Sequence, residues 1–268
     1  MTRVEALLEA VAAWAAARED VRGAFVLGSQ ARTDTPADEF SDVDVVLLAD
    51  DPARLLDDPS WLESFGEPLL TFVEQTAVGG QRERRVLYAD GLEVDFAVFP
   101  AAAAQALVAD PEAAGAAARG HRILHDEVGL AEALAAATAE RPQGRAPEEI
   151  VHDFWYHALW TAKKLRRGEA VTAGRTFDCA LNGLLLELAR EHALRLRPGI
   201  DTWHRDRFVE RWADPRAVEA AWLAAASPGE LPRALSRLCD AFDELASELG
   251  ALDAGAAGAR ARLQELLP

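Results

Sequence analysis

Cysteine is scarce, with only Cys179 and Cys239 in 268 residues. Each sits in a stretch that reads as helix, with no Cys or His partner at metal-ligand spacing. This excludes a disulfide framework and a zinc knuckle. The six histidines also show no paired spacing, so His152 and His157 read as ordinary polar helix positions. Basic residues are outnumbered, 28 Lys and Arg against 45 Asp and Glu, for a net charge of -17. Nucleic-acid binding rests on Lys and Arg neutralising phosphates, so no nucleic-acid partner is expected. Acidity concentrates cations, but it also serves solubility, and composition alone leaves both open. No apolar run reaches about 18 residues without charges, so no membrane partner is expected. The opening MTRVEALLEAVAAWAAARED carries Glu5 and Glu9 inside its apolar pattern. It lacks a basic start followed by an unbroken apolar core, and is not expected to be a signal peptide. A reducing, cytoplasmic setting is the simplest expectation. No internal repeat is visible.

What is present divides into two parts. Half of the residues are hydrophobic, enough for a sizeable core in one large domain or two ordinary ones. Val4, Leu7, Leu8, Val11 and Trp14 recur at helical spacing within residues 2–19. Gly23 to Leu27 is a short apolar run, and Val43 to Leu48 is apolar on both faces, as a buried strand is. Residues 59–66 predict a short helix, and Leu69 to Val73 a third strand. Asp90-Gly91 lies between two apolar runs, a strong hairpin signal, so Arg85–Tyr88 and Leu92–Phe99 are expected to pair antiparallel. After Pro100 no further strand signal appears. Residues 141–147 hold two prolines and a glycine and read as a linker. Helices are expected over 148–167, 173–195, 204–212, 215–226 and 231–248, with a weaker one near 256–267. The expected division is an α/β (α+β) domain with a mixed sheet over 1–140 and an α-helical bundle domain over 141–268.

The chemistry concentrates in aspartates. Asp42 and Asp44 are two apart at the mouth of a buried strand, so they share a face. Two carboxylates that close repel each other unless a cation sits between them. Magnesium suits such a place, being a hard ion held by one or two carboxylates plus substrate phosphates. Asp95 is embedded in another strand, with Glu93 on its face, and converges on the pair if the hairpin packs beside the first strands. Gly28-Ser29 directly follows a strand. A tight turn into a helix N-terminus there would offer backbone N–H groups and a hydroxyl to a phosphate. A loop holding Pro36, Asp38 and Phe40 joins the two features. A lone Gly-Ser or Asp-x-Asp carries little information, but the ordered combination is far narrower.

Gly28-Ser29, Asp42-x-Asp44 and Asp95 resemble the signature of the polymerase-β-like nucleotidyltransferase superfamily. The stretch GSQARTDTPADEFSDVDVV resembles more closely the aminoglycoside 6-adenylyltransferases, the streptomycin adenylyltransferase family. The likeness continues through Trp61, Phe65-Gly66 and Asp90-Gly91-x-x-x-Asp95. It reappears in FWYHALWTAKKLRRGE, from Phe154 to Glu169, and is scattered over about residues 20–215. Gln30 stands where an Arg is common, and Val43 where an aromatic is frequent. These departures bear on the acceptor more than on the reaction.

The resemblance implies a nucleotidyltransferase domain followed by the helical domain, with AMP passing from ATP to a hydroxyl of a small cationic antibiotic. Asp42 and Asp44 would hold magnesium, and Asp95 would be a third ligand or the general base. Gly28 and Ser29 would hold phosphates. Lys163 is implied as a further phosphate contact, against the alternative of a solvated helix end shared with Lys164, Arg166 and Arg167. Acceptor binding is expected between the domains, with Asp153, Trp155, Tyr156, Asp178 and Glu187 as candidates. Trp155 reads as core before it reads as ligand. Asp178 stands out because Asp is a poor residue for the interior of an apolar helix. Nine residues at roughly 100° each put Glu187 half a turn off that face. The chain is expected to act as a monomer. Alternatives are the same transfer to a lincosamide, another small molecule or a protein side chain, and a non-enzymatic nucleotide sensor, which has no need of three strand carboxylates.

Overall fold

The computed structural model of the chain describes residues 2–32, 37–76, 81–137, 144–202, 206–222 and 229–267. The chain forms two compact units, Met1–Pro142 and Gln143–Pro268. Of the expected elements, 204–205, 223–226 and part of the 141–147 linker lie outside the described residues.

The first unit is built on a six-stranded sheet. Its strands are β1 (Val21–Leu27), β2 (Val43–Ala49), β3 (Pro68–Gln75), β4 (Arg82–Tyr88), β5 (Glu93–Pro100) and β6 (Arg122–Asp126), in the order β3-β4-β5-β2-β1-β6. β2 and β5 are parallel, and every other neighbouring pair is antiparallel. The expected hairpin forms β4 and β5. β6 corrects the expectation of no strand after Pro100. It is an edge strand with no fully buried residue, so it lacks the apolar run or alternation that marks a strand in sequence.

Alternation along the central strands assigns the layers. Val43, Val45 and Leu47 of β2, with Val94, Phe96 and Val98 of β5, face one side. There they meet helix α1 (Arg3–Ala16), helix α2 (Pro52–Asp57) and the 3-10 turns of Ser60–Phe65, where an ordinary short helix was expected. Thr2 and Glu5 close a capping box at the start of α1. Trp61 donates its indole N–H to Leu55 O (2.9 Å), and Tyr88 its hydroxyl to Leu62 O (3.2 Å). The Phe96 ring lies 4.9 Å from Trp61 and 5.7 Å from Phe65. On the other side Phe25, Val46, Leu48 and Phe99 pack with α3 (Ala104–Ala109), α4 (Pro111–Arg119) and α5 (Leu130–Ala135). By the same alternation Asp44 and Asp95 belong to this second face.

The second unit is helical: α6 (Pro147–Arg166), α7 (Ala170–Thr176), α8 (Asn182–Leu196), α9 (Val209–Trp212), α10 (Pro215–Ala221), α11 (Leu231–Leu249) and α12 (Ala254–Leu266). Phe154 of α6 stacks on Phe242 of α11, with ring centroids 3.6 Å apart. The single helix expected over 173–195 is instead α7 and α8 joined by a π-helical turn, Phe177–Leu181. Cys239 is buried and Cys179 exposed, and both are free. No helix among the described residues is long and apolar enough to cross a membrane.

Phe96 sits next to Asp95 and anchors β5 to the aromatic cluster. Phe96→Ala should cost about 3–5 kcal/mol of stability, measured by urea unfolding. A loss under about 1 kcal/mol would mean that the cluster does not hold β5 in place.

Candidate active site

β1 ends at Leu27, and Gly28–Gln30 forms a single 3-10 turn. The expected helix N-terminus does not follow: among the described residues no helix lies between this turn and β2. What remains of the phosphate reading is local. Gly28 has φ +69°, and a Cβ on it would lie 2.2 Å from Asp44 Oδ2. Glycine is favoured here by its left-handed backbone, and any side chain would also have to displace the Asp44 carboxylate. Ser29 Oγ is buried and has no hydrogen-bond partner among the described residues. A buried hydroxyl left unsatisfied is costly, and such groups commonly await a ligand or ion.

The loop returns to the sheet through several hydrogen bonds. Ala37 N–H donates to Ser29 O (3.1 Å). Asp38 Oδ1 accepts from Phe40 N–H (3.0 Å) and from the Ser41 hydroxyl (2.9 Å). Gln30 Nε2 donates to Asp42 O (3.3 Å) and so braces the first aspartate. Phe40 is exposed, and Pro36 lies outside the described residues.

β2 then presents Asp44 directly opposite Asp95 of β5. One carboxylate oxygen from each of Asp42, Asp44 and Asp95 falls within 4.8 Å of the others. Three half-buried carboxylates at that separation are a hard-oxygen donor set able to hold a divalent cation. Burial pushes the Asp95 carboxyl up to about 7; Arg85 opposes the rise, and Glu83, Asp44 and Asp42 add to it. Sequence reasoning missed Arg85, whose Nη2 lies 3.3 Å from Asp95 Oδ2. The signal was available, since a hairpin centred on Asp90 sets Arg85 opposite Asp95.

The candidates of the helical unit divide. Arg145, just before α6, contacts both Asp153 (2.8 Å) and Glu187 (3.1 Å), which brings these two carboxylates together. Asp153 also meets His157 Nδ1 at 2.9 Å. Asp178 is exposed on the π-helical turn, which accounts for an aspartate in an apolar helical stretch. Lys163 is exposed in the last turn of α6, while Lys164 pairs with Glu169 at 2.7 Å. Tyr156 is exposed. Trp155 is 2% exposed within the helical core, so it has no surface to offer a ligand, and its place among the acceptor candidates is not kept.

The family model for streptomycin adenylyltransferase matches residues 1–252. The chain belongs to this family. It is a nucleotidyltransferase, and the strand carboxylates described above lie within the matched region. No curated protein matches the chain. Among solved structures it is similar to an aminoglycoside 6-adenyltransferase from Bacillus subtilis, at 15% identity and TM-score 0.44, covering 99% of this chain and 98% of that one. It is also similar to a nucleotidyltransferase-like protein from Exiguobacterium sibiricum, at 14% identity and TM-score 0.37, covering 87% of this chain and 72% of that one.

The raised Asp95 carboxyl carries a sign. Its folded value lies above the unfolded one, so its contribution to stability is present at acid pH and is lost as pH rises through about 7. In chelator, Asp95→Asn should melt higher than the parent at pH 8, by roughly 2–4 °C for each kcal/mol relieved. The advantage should shrink towards pH 4. Equal melting temperatures across this range would contradict a strained carboxylate.

Proposed function

We propose that the protein transfers AMP from ATP to a hydroxyl of a cationic aminoglycoside, with magnesium as cofactor and streptomycin as the first acceptor to test. The observation that carries this reading is the convergence of Asp42, Asp44 and Asp95 beside Gly28-Ser29 in a chain of this family. The donor set fits the ion: three carboxylates with no sulfur or imidazole among them suit magnesium better than zinc. Magnesium held there would neutralise nucleotide phosphates and the charge that develops during transfer.

The chain's own residues supply positioning. The Ser29 hydroxyl, buried and without a hydrogen-bond partner among the described residues, is the donor proposed for a phosphate oxygen, with the backbone amides of the Gly28–Gln30 turn beside it. The contact between Gly28 and Asp44 keeps phosphate and carboxylates close enough to share one nucleotide. Asp95 is either the third carboxylate on the ion or the base that takes the hydroxyl proton, and a value near 7 suits a base. Lys163 is proposed as a further phosphate contact. Asp153, Glu187 and Asp178 are proposed to receive the acceptor's ammonium groups. Arg145 already pairs with the first two, so an ammonium group would share or displace that guanidinium. Such a transfer would make the protein an antibiotic-resistance enzyme, and its use of ATP and its free cysteines fit a reducing cytoplasm.

Asp42→Asn and Asp44→Asn should each lower adenylyl transfer by on the order of 10²–10³ while folding as well as the parent in chelator. Magnesium-ATP at a hundredfold excess over its dissociation constant should stabilise the parent by roughly 2.7 kcal/mol, and ATP with chelator much less. Equal shifts with and without metal would sink the metal reading.

Calorimetric titration tests the acceptor. Streptomycin should bind the nucleotide-loaded protein, and more weakly as salt rises, because screening shortens to about 3 Å at 1 M. Asp178→Asn should weaken streptomycin more than ATP. No binding and no adenylylated product across a panel of aminoglycosides would move the assignment to another acceptor, a lincosamide first.

A further inference from the structure

The sheet order sets a direction for the reaction. β2 and β5 carry the carboxylates, β1 with its Gly28-Ser29 turn lies on one side of them, and β4 and β3 lie on the other. Nucleotidyl transfer is an in-line displacement, so the attacking oxygen enters opposite the leaving pyrophosphate. If pyrophosphate rests on the Ser29 side, the acceptor hydroxyl arrives over β5 and β4.

A built arrangement stands on that flank. Arg85 of β4 is directly opposite Asp95 and reaches Asp95 Oδ2 at 3.3 Å. The same guanidinium is gripped by Glu83 Oε1, at 2.9 Å from Nε and 2.8 Å from Nη2, and by Glu74 Oε1 at 2.7 Å. Glu83 is only 9% exposed, so the grip is anchored from within the sheet. A guanidinium fixed by two glutamates holds a planar fork in one orientation. It engages Asp95 through Oδ2, in the same carboxylate cluster as Asp42 and Asp44. Beside it on β3, Phe72 is paired with Arg85 and is 55% exposed, and Leu70 is 64% exposed. An aromatic next to surplus carboxylate charge suits a cationic sugar.

We propose that Arg85 is a positioning residue for Asp95 and, with Glu83, Glu74 and Phe72, forms the acceptor-side wall of the site. This rests on the adenylyl-transfer reading above. Glu83 fixes Arg85, Arg85 fixes Asp95, and the exposed Glu74 and Phe72 meet the incoming amino sugar.

Steady-state kinetics with magnesium-ATP and a panel of aminoglycosides headed by streptomycin tests the wall through Arg85→Gln, Arg85→Lys and Glu74→Gln. Arg85→Gln should lower kcat roughly 10–100-fold while KM for ATP stays within about twofold. Arg85→Lys, which keeps the charge without the fork, should recover part of kcat. Glu74 is half-exposed, so Glu74→Gln should fold normally and raise the acceptor KM alone. The magnesium-ATP melting shift should survive in all three. Parental kcat in Arg85→Gln, or a KM for ATP that rises in step with the acceptor KM, overturns the inference and leaves the functional reading standing. A parent that gains the melting shift with magnesium-ATP yet modifies no aminoglycoside overturns the acceptor reading and the wall together.

Discussion

Two carboxyl groups face each other across the β2–β5 pair, Asp44 opposite Asp95, and Asp42 closes on them from the strand mouth. Like charges at such separation push strands apart. The pairing persists because each aspartate is flanked in sequence by residues committed to the opposite face. Val43 and Val45 lie beside Asp44, and Val94 and Phe96 beside Asp95, and all four are fully buried. Moving a carboxylate away would drag these side chains out of the core. The hydrophobic layer under α1 thus holds in place, from the back of the sheet, a charge arrangement that its front would not choose alone.

Because these strands are central, everything else is ordered around them. One antiparallel neighbour, β1, delivers Gly28-Ser29, and the other, β4, delivers Arg85. The Gly28 turn and the Arg85 guanidinium therefore meet the carboxylates from opposite sides. The two sides also differ in what fills them. On one, a Cβ on Gly28 would overlap the Asp44 carboxylate. On the other, long side chains hold each other through ion pairs that are partly open to water.

Much of this was legible in the sequence, for identifiable reasons. The buried strands announce themselves by apolar runs, the hairpin by Asp90-Gly91, and α6 and α11 by spacing that keeps one face apolar. Asp42, Asp44 and Asp95 stand out because they interrupt such runs. β6 was not legible, since an edge strand with no buried residue needs no pattern. The turn after Gly28 reads as the start of a helix because the same residues serve both. The π-helical turn at Phe177–Leu181 depends on packing that a single-helix reading cannot register. The bridge from Arg145 to Asp153 and Glu187 joins residues far apart in the chain, and only the packing of α6 against α8 brings them together.

The fit between Gly28 and Asp44 has a bearing on how such a protein can change over generations. Where a single methyl group would strike a carboxylate and the backbone is left-handed, a change at Gly28 also displaces Asp44, so the two positions are inherited together. Exposed positions such as Phe72 and Glu74 carry no such restriction. Selection can therefore rewrite one margin of the sheet while the other stays fixed.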